Sequence, residues 1–362
     1  MSGVTLLMVG TRKGLWLARS DDRVSWTFDG PHFLMNEVVA CAIDTRRDSP
    51  RLLAGAMSSH FGPQVFWSDD LGATWQETPN GGIRFPEGTG AALEQVWQLA
   101  LPVAEPDVVY AGTQPSALFR SADGGETFSM VRSLWDHPHR AQWGAGFGGQ
   151  AIHTILPSAE DPSVLTVAMS TGGVYQTTDG GDSWRPANVG VKAYFLPDPW
   201  PEFGQCVHKI AGDPRRPERM YLQNHHGVYR TDDGGAHWES IADGLPSDFG
   251  FPIVIDPHDP DTVYLFPLVA DSTRIPPDAR ALVWRSRDAG ATWTALSKGL
   301  PGDGFYSAVL RDAMCADRGT PTGLYFGSRD GNLYASNDAG DTWATVASHL
   351  PDVLCVRAAK LP

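Results

Sequence analysis

The chain has 362 residues, 42% of them hydrophobic, with a net charge of −14 and a pI of about 5.1. An acidic chain with no Lys/Arg cluster is unsuited to a phosphate backbone, which excludes nucleic acid as the expected partner. No apolar stretch is long enough to span a bilayer, so no membrane partner is expected either.

With 39 Gly and 28 Pro, and no helical periodicity over any long window, the chain reads as all-β. The first elements are short apolar runs at residues 6–10, 15–18 and 26–28. They read as the second, third and fourth strands of a four-stranded unit whose first strand is missing. From there the same grammar recurs. An apolar strand leads to a turn containing Pro, as at Pro50, Pro106, Pro162, Pro217 and Pro260. A second strand and a third follow, and proline between the first two ends a strand without costing a ladder bond. The third strand leads into a repeated phrase, clearest in Ser121-Ala122-Asp123-Gly124-Gly125-Glu126-Thr127-Phe128. Related phrases start at Ser68, Thr177, Thr231, Ser286 and Ser336, at intervals of roughly 50–56 residues, the period of a propeller or solenoid. An Asp-x-Gly turn between strands is hairpin chemistry, and the closing aromatic buries a large apolar face. A shortened copy lies at residues 20–26.

These phrases resemble the Asp-box, or BNR repeat, of the sialidase-type propellers, a superfamily that also includes glycosyl hydrolases such as xyloglucanases and the photosystem II assembly factors. The resemblance implies a β-propeller and leaves the activity open, because the box is a structural hairpin. Six complete units and the split first one make seven blades across a single domain of residues 1–362. The missing first strand is supplied by residues 353–357, with residues 353–356 expected to pair with residues 6–9. The N-terminus has no basic start or long apolar run, and Cys41, Cys206, Cys315 and Cys355 follow no C-x-x-C spacing. The expectation is a cytoplasmic protein with reduced thiols.

In such a ring the first strand of each blade lines a central channel, and the loops opposite the boxes form a mouth where ligands bind. Counting nine residues back from the five prolines gives Cys41, Trp97, His153, His208 and Phe251 at one level of the channel. Three residues further back stand Val38, Glu94, Gln150, Gln205 and Asp248. Mouth loops add Arg12, His60, Arg140, Trp143, His225, His226, Arg274 and Arg329, and Tyr306 is the one Tyr expected near the start of an inner strand. Two readings follow. One is a hydrolase or lyase acting on a small polar, anionic or carbohydrate substrate, with Glu94, His153, Asp248 and Tyr306 as catalytic candidates. Here Arg12, His60, Trp97, Arg140, Trp143, Gln150, Gln205, Arg274 and Arg329 would bind the substrate, since guanidinium forks suit anions and rings suit sugar faces. A divalent metal, zinc, manganese or iron, would be held by His153, His208, His225 or His226 and Glu94, as imidazoles with a carboxylate suit these ions. The other reading is a non-catalytic binding or assembly propeller, which predicts an apolar surface that the sequence does not show. The sialidase resemblance would add an Arg-Ile-Pro motif, found here at residues 274–276 in a late blade.

Overall fold

The computed structural model describes residues 3–78, 82–146, 149–213 and 216–361. Seven four-stranded antiparallel sheets succeed one another around a ring, a seven-bladed β-propeller. Among the described residues no helix is long and apolar enough to cross a membrane. The first blade takes its inner strand, Val353–Lys360, from the far end of the chain and pairs it with Thr5–Thr11. The expected register is displaced by three residues: Val356 lies opposite Val9 and Ala359 opposite Leu6. The strand is longer than its apolar sequence suggested, running on through Arg357 and Lys360.

The repeated phrase makes the same turn in six blades, and the shortened copy in the first has a single residue at positive φ, Arg23 (59°). In the second, Ser68 donates to Asp70 at 2.8 Å, and its Oγ accepts the Gly72 amide at 2.9 Å. Asp70 in turn accepts the Thr74 amide at 2.8 Å and the Thr74 hydroxyl at 2.6 Å. The turn needs two consecutive residues at positive φ, here Leu71 (57°) and Gly72 (93°), and only the second is always Gly. Asp22, Asp70 and Asp233 are held down at about 2, against an ordinary 3.8. The leading donors are the Ser25 amide, the Thr74 hydroxyl and the His237 amide, respectively. The other box aspartates, Asp123, Asp179, Asp288 and Asp338, are also lowered.

The boxes join blades as well as strands. Trp238 Nε1 donates to Ala187 O and Trp293 Nε1 to Ile241 O, each reaching the preceding blade. The residue just before the box Ser or Thr reaches the next blade: Arg19 donates to Leu71 O, Gln176 to Gly234 O, Arg230 to Ala289 O and Arg285 to Ala339 O. Between blades the core is apolar, and Tyr175, Tyr221, Tyr229, Tyr264 and Tyr334 are buried in it. Their place in half-buried strands is thus one of packing.

One irregularity positions the site. Where the inner strands run alongside the second strands, each of several ladders skips a residue. The skips fall between Val38 and Ala40, Val96 and Gln98, Ile152 and Thr154, Val207 and Lys209, and Gly250 and Ile253. The unpaired residues are therefore Val39, Trp97, His153, His208 and the Phe251-Pro252 pair. A β-bulge re-aims the side chain it leaves unpaired, and Val39, Trp97, His208 and Phe251 of this row line the central cavity. In the second blade the row holds Val39 where proline counting expected Cys41. Cys41 is buried instead against Cys355, Sγ to Sγ 3.4 Å.

Candidate active site

The mouth opens into a cavity of about 850 Å³. Bulge residues Trp97, His208 and Phe251 line its wall, and Arg12, Glu37, Asp271, Arg274, Arg311, Asp312 and Arg329 supply its charge. A shallower pocket of about 560 Å³ beside it is lined by Tyr306 and shares Phe251, Arg274 and Arg329.

Several charges are committed to one another. Arg12 pairs with Glu37 at 3.0 Å, and Arg329 pairs with Asp352 at 2.7 Å. Asp312 takes Lys209 at 2.7 Å and also Arg357, tying inner strands of different blades together on the cavity wall. Burial opposes ionisation of Asp312, but the Lys209 and Arg357 charges outweigh it and hold the carboxyl far below its usual range. A carboxylate held so firmly ionised is a structural tie and a poor proton donor. Arg311 sits with its guanidinium 5.0 Å from the centre of the Trp97 ring, and burial lowers its pKa. Arg274 lies 5.4 Å from the Phe251 ring centre and donates to Asp271 O at 3.0 Å. Two guanidiniums over aromatic faces make a surface suited to an anionic group carried on a flat or sugar-like body.

The histidines divide. His208 donates from Nδ1 to Gly250 O at 2.6 Å, which leaves Nε2 without a proton. Burial holds it neutral, with the Arg311 charge acting the same way. His225 stands 5.6 Å from it, ring to ring, with Nε2 3.5 Å from Asp271. Cys206 joins these two, and burial raises its thiol.

His153 does not belong to this group. Although bulged like His208, it is fully buried and spends both ring nitrogens on Thr154, Ser170 and Val207 O, between 2.9 and 3.1 Å. It fastens its blade to the next, and the expected catalytic and metal roles are withdrawn. His226 turns instead to the Tyr194 ring at 5.4 Å, outside the cavity lining. Glu94 is exposed and accepts from Gln114 at 2.7 Å, away from every histidine donor in the cluster. Asp248 is exposed, and its backbone carbonyl accepts from Gln223. Tyr306 precedes the inner strand Met314–Ala316 instead of starting it and is 73% exposed.

Of the substrate-binding candidates, Arg12, Trp97, Arg274 and Arg329 line the cavity. The others have structural partners. Arg140 lies over the Trp135 ring, and buried Trp143 donates to Tyr175 at 2.9 Å. Gln150 donates to Trp143 O, while Gln205 is buried and donates to Val191 O and Pro201 O. His60 is exposed and packs on Phe61. Phe147 and Gly148, in the glycine-rich stretch of the same loop as Trp143, lie outside the described residues.

Sequence reasoning missed Arg311, Asp312, Lys209 and Cys206. A signal existed for one of them: nine residues before Pro321 stands Asp312. The mouth loops also expose large apolar side chains that the sequence pattern did not single out. Leu34, Met35, Phe61, Tyr194, Phe195, Trp200, Val269 and Tyr306 are all exposed, and all sit on mouth loops.

The fold and the cavity define a seven-bladed propeller with one polar, aromatic-walled binding end. No family model matches the chain. The chain is 25% identical over 266 residues to the xyloglucanase Xgh74A of Acetivibrio thermocellus, covering 64% of this chain and 29% of that protein. It is 29% identical over 340 residues to a xyloglucanase of Hypocrea jecorina, covering 78% of this chain and 36% of that one. The chain thus spans about a third of the length of these relatives. Among solved structures, an ancestral GH74 enzyme superposes with a TM-score of 0.57 at 17% identity, over 86% of this chain and 38% of that one. YCF48 from Cyanidioschyzon merolae superposes at 0.55 with 14% identity, over 85% and 84%. These superpositions show the propeller and nothing finer.

Proposed function

We propose that the chain is a carbohydrate-acting glycosyl hydrolase whose substrate, a sugar bearing an anionic group, enters the cavity at the mouth. The similarity to xyloglucanases over as much as 78% of the chain carries this reading. The cavity supports it with an aromatic wall, Trp97 and Phe251, beneath Arg311 and Arg274. Glycoside hydrolysis needs two carboxyl groups, one to protonate the leaving oxygen and one to act as nucleophile or base. Glu37 and Asp271 are the cavity carboxyls left for this work, since Asp312 is tied to Lys209 and Arg357. Glu37, ion-paired to Arg12, is assigned the part of nucleophile or base, and Asp271, beside His225, that of the acid. The full-length protein is assayed for new reducing ends on xyloglucan oligosaccharides and on uronate-containing oligosaccharides. Turnover, with faster reaction of the acidic series, supports the reading. No turnover of either series, together with no binding by calorimetry, overturns it.

A second reading is favoured by the exposed apolar side chains of the mouth loops, which suit a peptide or protein surface better than a sugar. In that case the mouth is a non-catalytic docking site, and Leu34→Ser with Phe61→Ser weakens partner binding while leaving the cavity intact.

A further inference from the structure

Cys206 and His208 flank the start of one inner strand, Val207–Asp213, and His225 follows its partner strand, Arg216–Asn224. One donor atom from each residue lies within 4.8 Å of the other two, and this is the one such cluster among the described residues. The geometry points to a divalent metal site at Cys206, His208 and His225, with zinc the ion its donors suit best. One thiolate and two imidazoles match a borderline-soft ion that accepts mixed sulfur and nitrogen ligands.

The surroundings are those of a ligand set. His208 is held from behind by Gly250 O at 2.6 Å, the kind of backbone anchor that fixes a ligating imidazole and turns its free nitrogen to the ion. Asp271 stands 3.5 Å from His225, where it can orient that ring. The cluster lines the cavity, so three protein ligands leave a further position open toward solvent or substrate. The competing account is plain aromatic packing, because His208 also lies 4.9 Å from the Phe251 ring and 5.4 Å from that of Phe249. Packing explains the imidazole faces but gives no reason for a thiol and two imidazole nitrogens to converge. Arg274 and Arg311 raise the cost of bringing in a cation, and the thiolate that Cys206 becomes on binding the ion offsets part of it. The site shares the cavity with the hydrolase reading but is tested apart from it, since metal content is measured without any substrate.

The test uses the full-length protein, stripped with a chelator and titrated with Co²⁺ and then Zn²⁺. The expected result is one Co²⁺ per chain with a thiolate-to-cobalt absorption band, displaced by Zn²⁺. His208→Gln then weakens Co²⁺ binding by at least about tenfold, the loss expected even when only a supporting partner is removed. Cys206→Ser abolishes the thiolate band. Should that buried variant fold poorly, His225→Gln, at a more exposed position, gives the same weakening, and Zn²⁺ slows alkylation of Cys206 by iodoacetamide in the unmutated protein. Absence of a stoichiometric Co²⁺ complex overturns the proposal. Binding without a thiolate band, or equally tight in His208→Gln and His225→Gln, does so too.

Discussion

The two faces of this propeller are built on different terms. On the box face six of the seven blades repeat one hydrogen-bonded turn, so that Asp70, Asp123, Asp179, Asp233, Asp288 and Asp338 occupy equivalent places. On the mouth face the equivalent places differ in chemistry: Val39, Trp97, His153, His208 and Phe251 share one bulged row. Repetition on one face is what ring stability demands, because each box closes its own hairpin and locks a neighbouring blade. Variation on the other is what a single asymmetric ligand demands. Stability thus rests on the first face and ligand choice on the second, and mutation can attack each.

The largest effect is expected where the ring itself is cut. Removing residues 351–362 takes away the inner strand that pairs with Thr5–Thr11 and exposes two sheet edges. The cooperative thermal transition should be lost by calorimetry. A truncated chain melting where the full one does would show that closure is not what holds the ring.

Acid attacks all the boxes at once. Their aspartates have folded pKa values below the ordinary 3.8, about 2 for Asp22, Asp70 and Asp233. A depressed carboxyl contributes stability above its unfolded pKa and loses it as pH falls through the folded one. Stability should therefore drop between about pH 4 and pH 2. Replacing Asp70, Asp123 and Asp233 together by Asn should flatten that part of the profile, and an unchanged slope would remove the boxes as its cause.

A single box should cost less. Asp123 accepts the amides of Glu126 and Thr127 and the Thr127 hydroxyl, so Asp123→Ala leaves them unpaired. The expected loss is about 1–3 kcal/mol in chemical denaturation, the usual range for orphaned donors. Smaller still in stability, and specific in binding, is Trp97→Ala. It removes the ring beneath Arg311 and should weaken ligand affinity far more than it shifts the melting temperature. Loss of stability with affinity retained would place Trp97 among the structural residues.

How much of this was legible in the sequence follows the same division. The box period exposed the blade count, and the incomplete first unit exposed the ring closure, because both depend on local turn chemistry that residue types state openly. The mouth was harder. Counting back from turn prolines found Trp97 and His208 but placed Cys41 where Val39 belongs, since the turns joining inner and second strands differ in length. It also put His153 beside His208. Whether a bulged side chain enters the channel or reaches sideways is decided by its neighbours, here Ser170 and Val207 O, which no spacing rule reveals. Cys206 lay two residues from His208 and carried no motif, because His225 comes from the loop after the adjoining strand.

The central claim, stability on one face and chemistry on the other, is tested most directly by measuring hydrolysis rate and melting temperature on the same two variants. Asp123→Ala should lower the melting temperature and leave the rate per folded molecule unchanged. Asp271→Asn should keep the melting temperature and lower the rate by about 100-fold or more, the usual worth of a positioned proton donor. A box variant that stays stable but loses turnover, or an Asp271→Asn protein that hydrolyses substrate at the original rate, would contradict it.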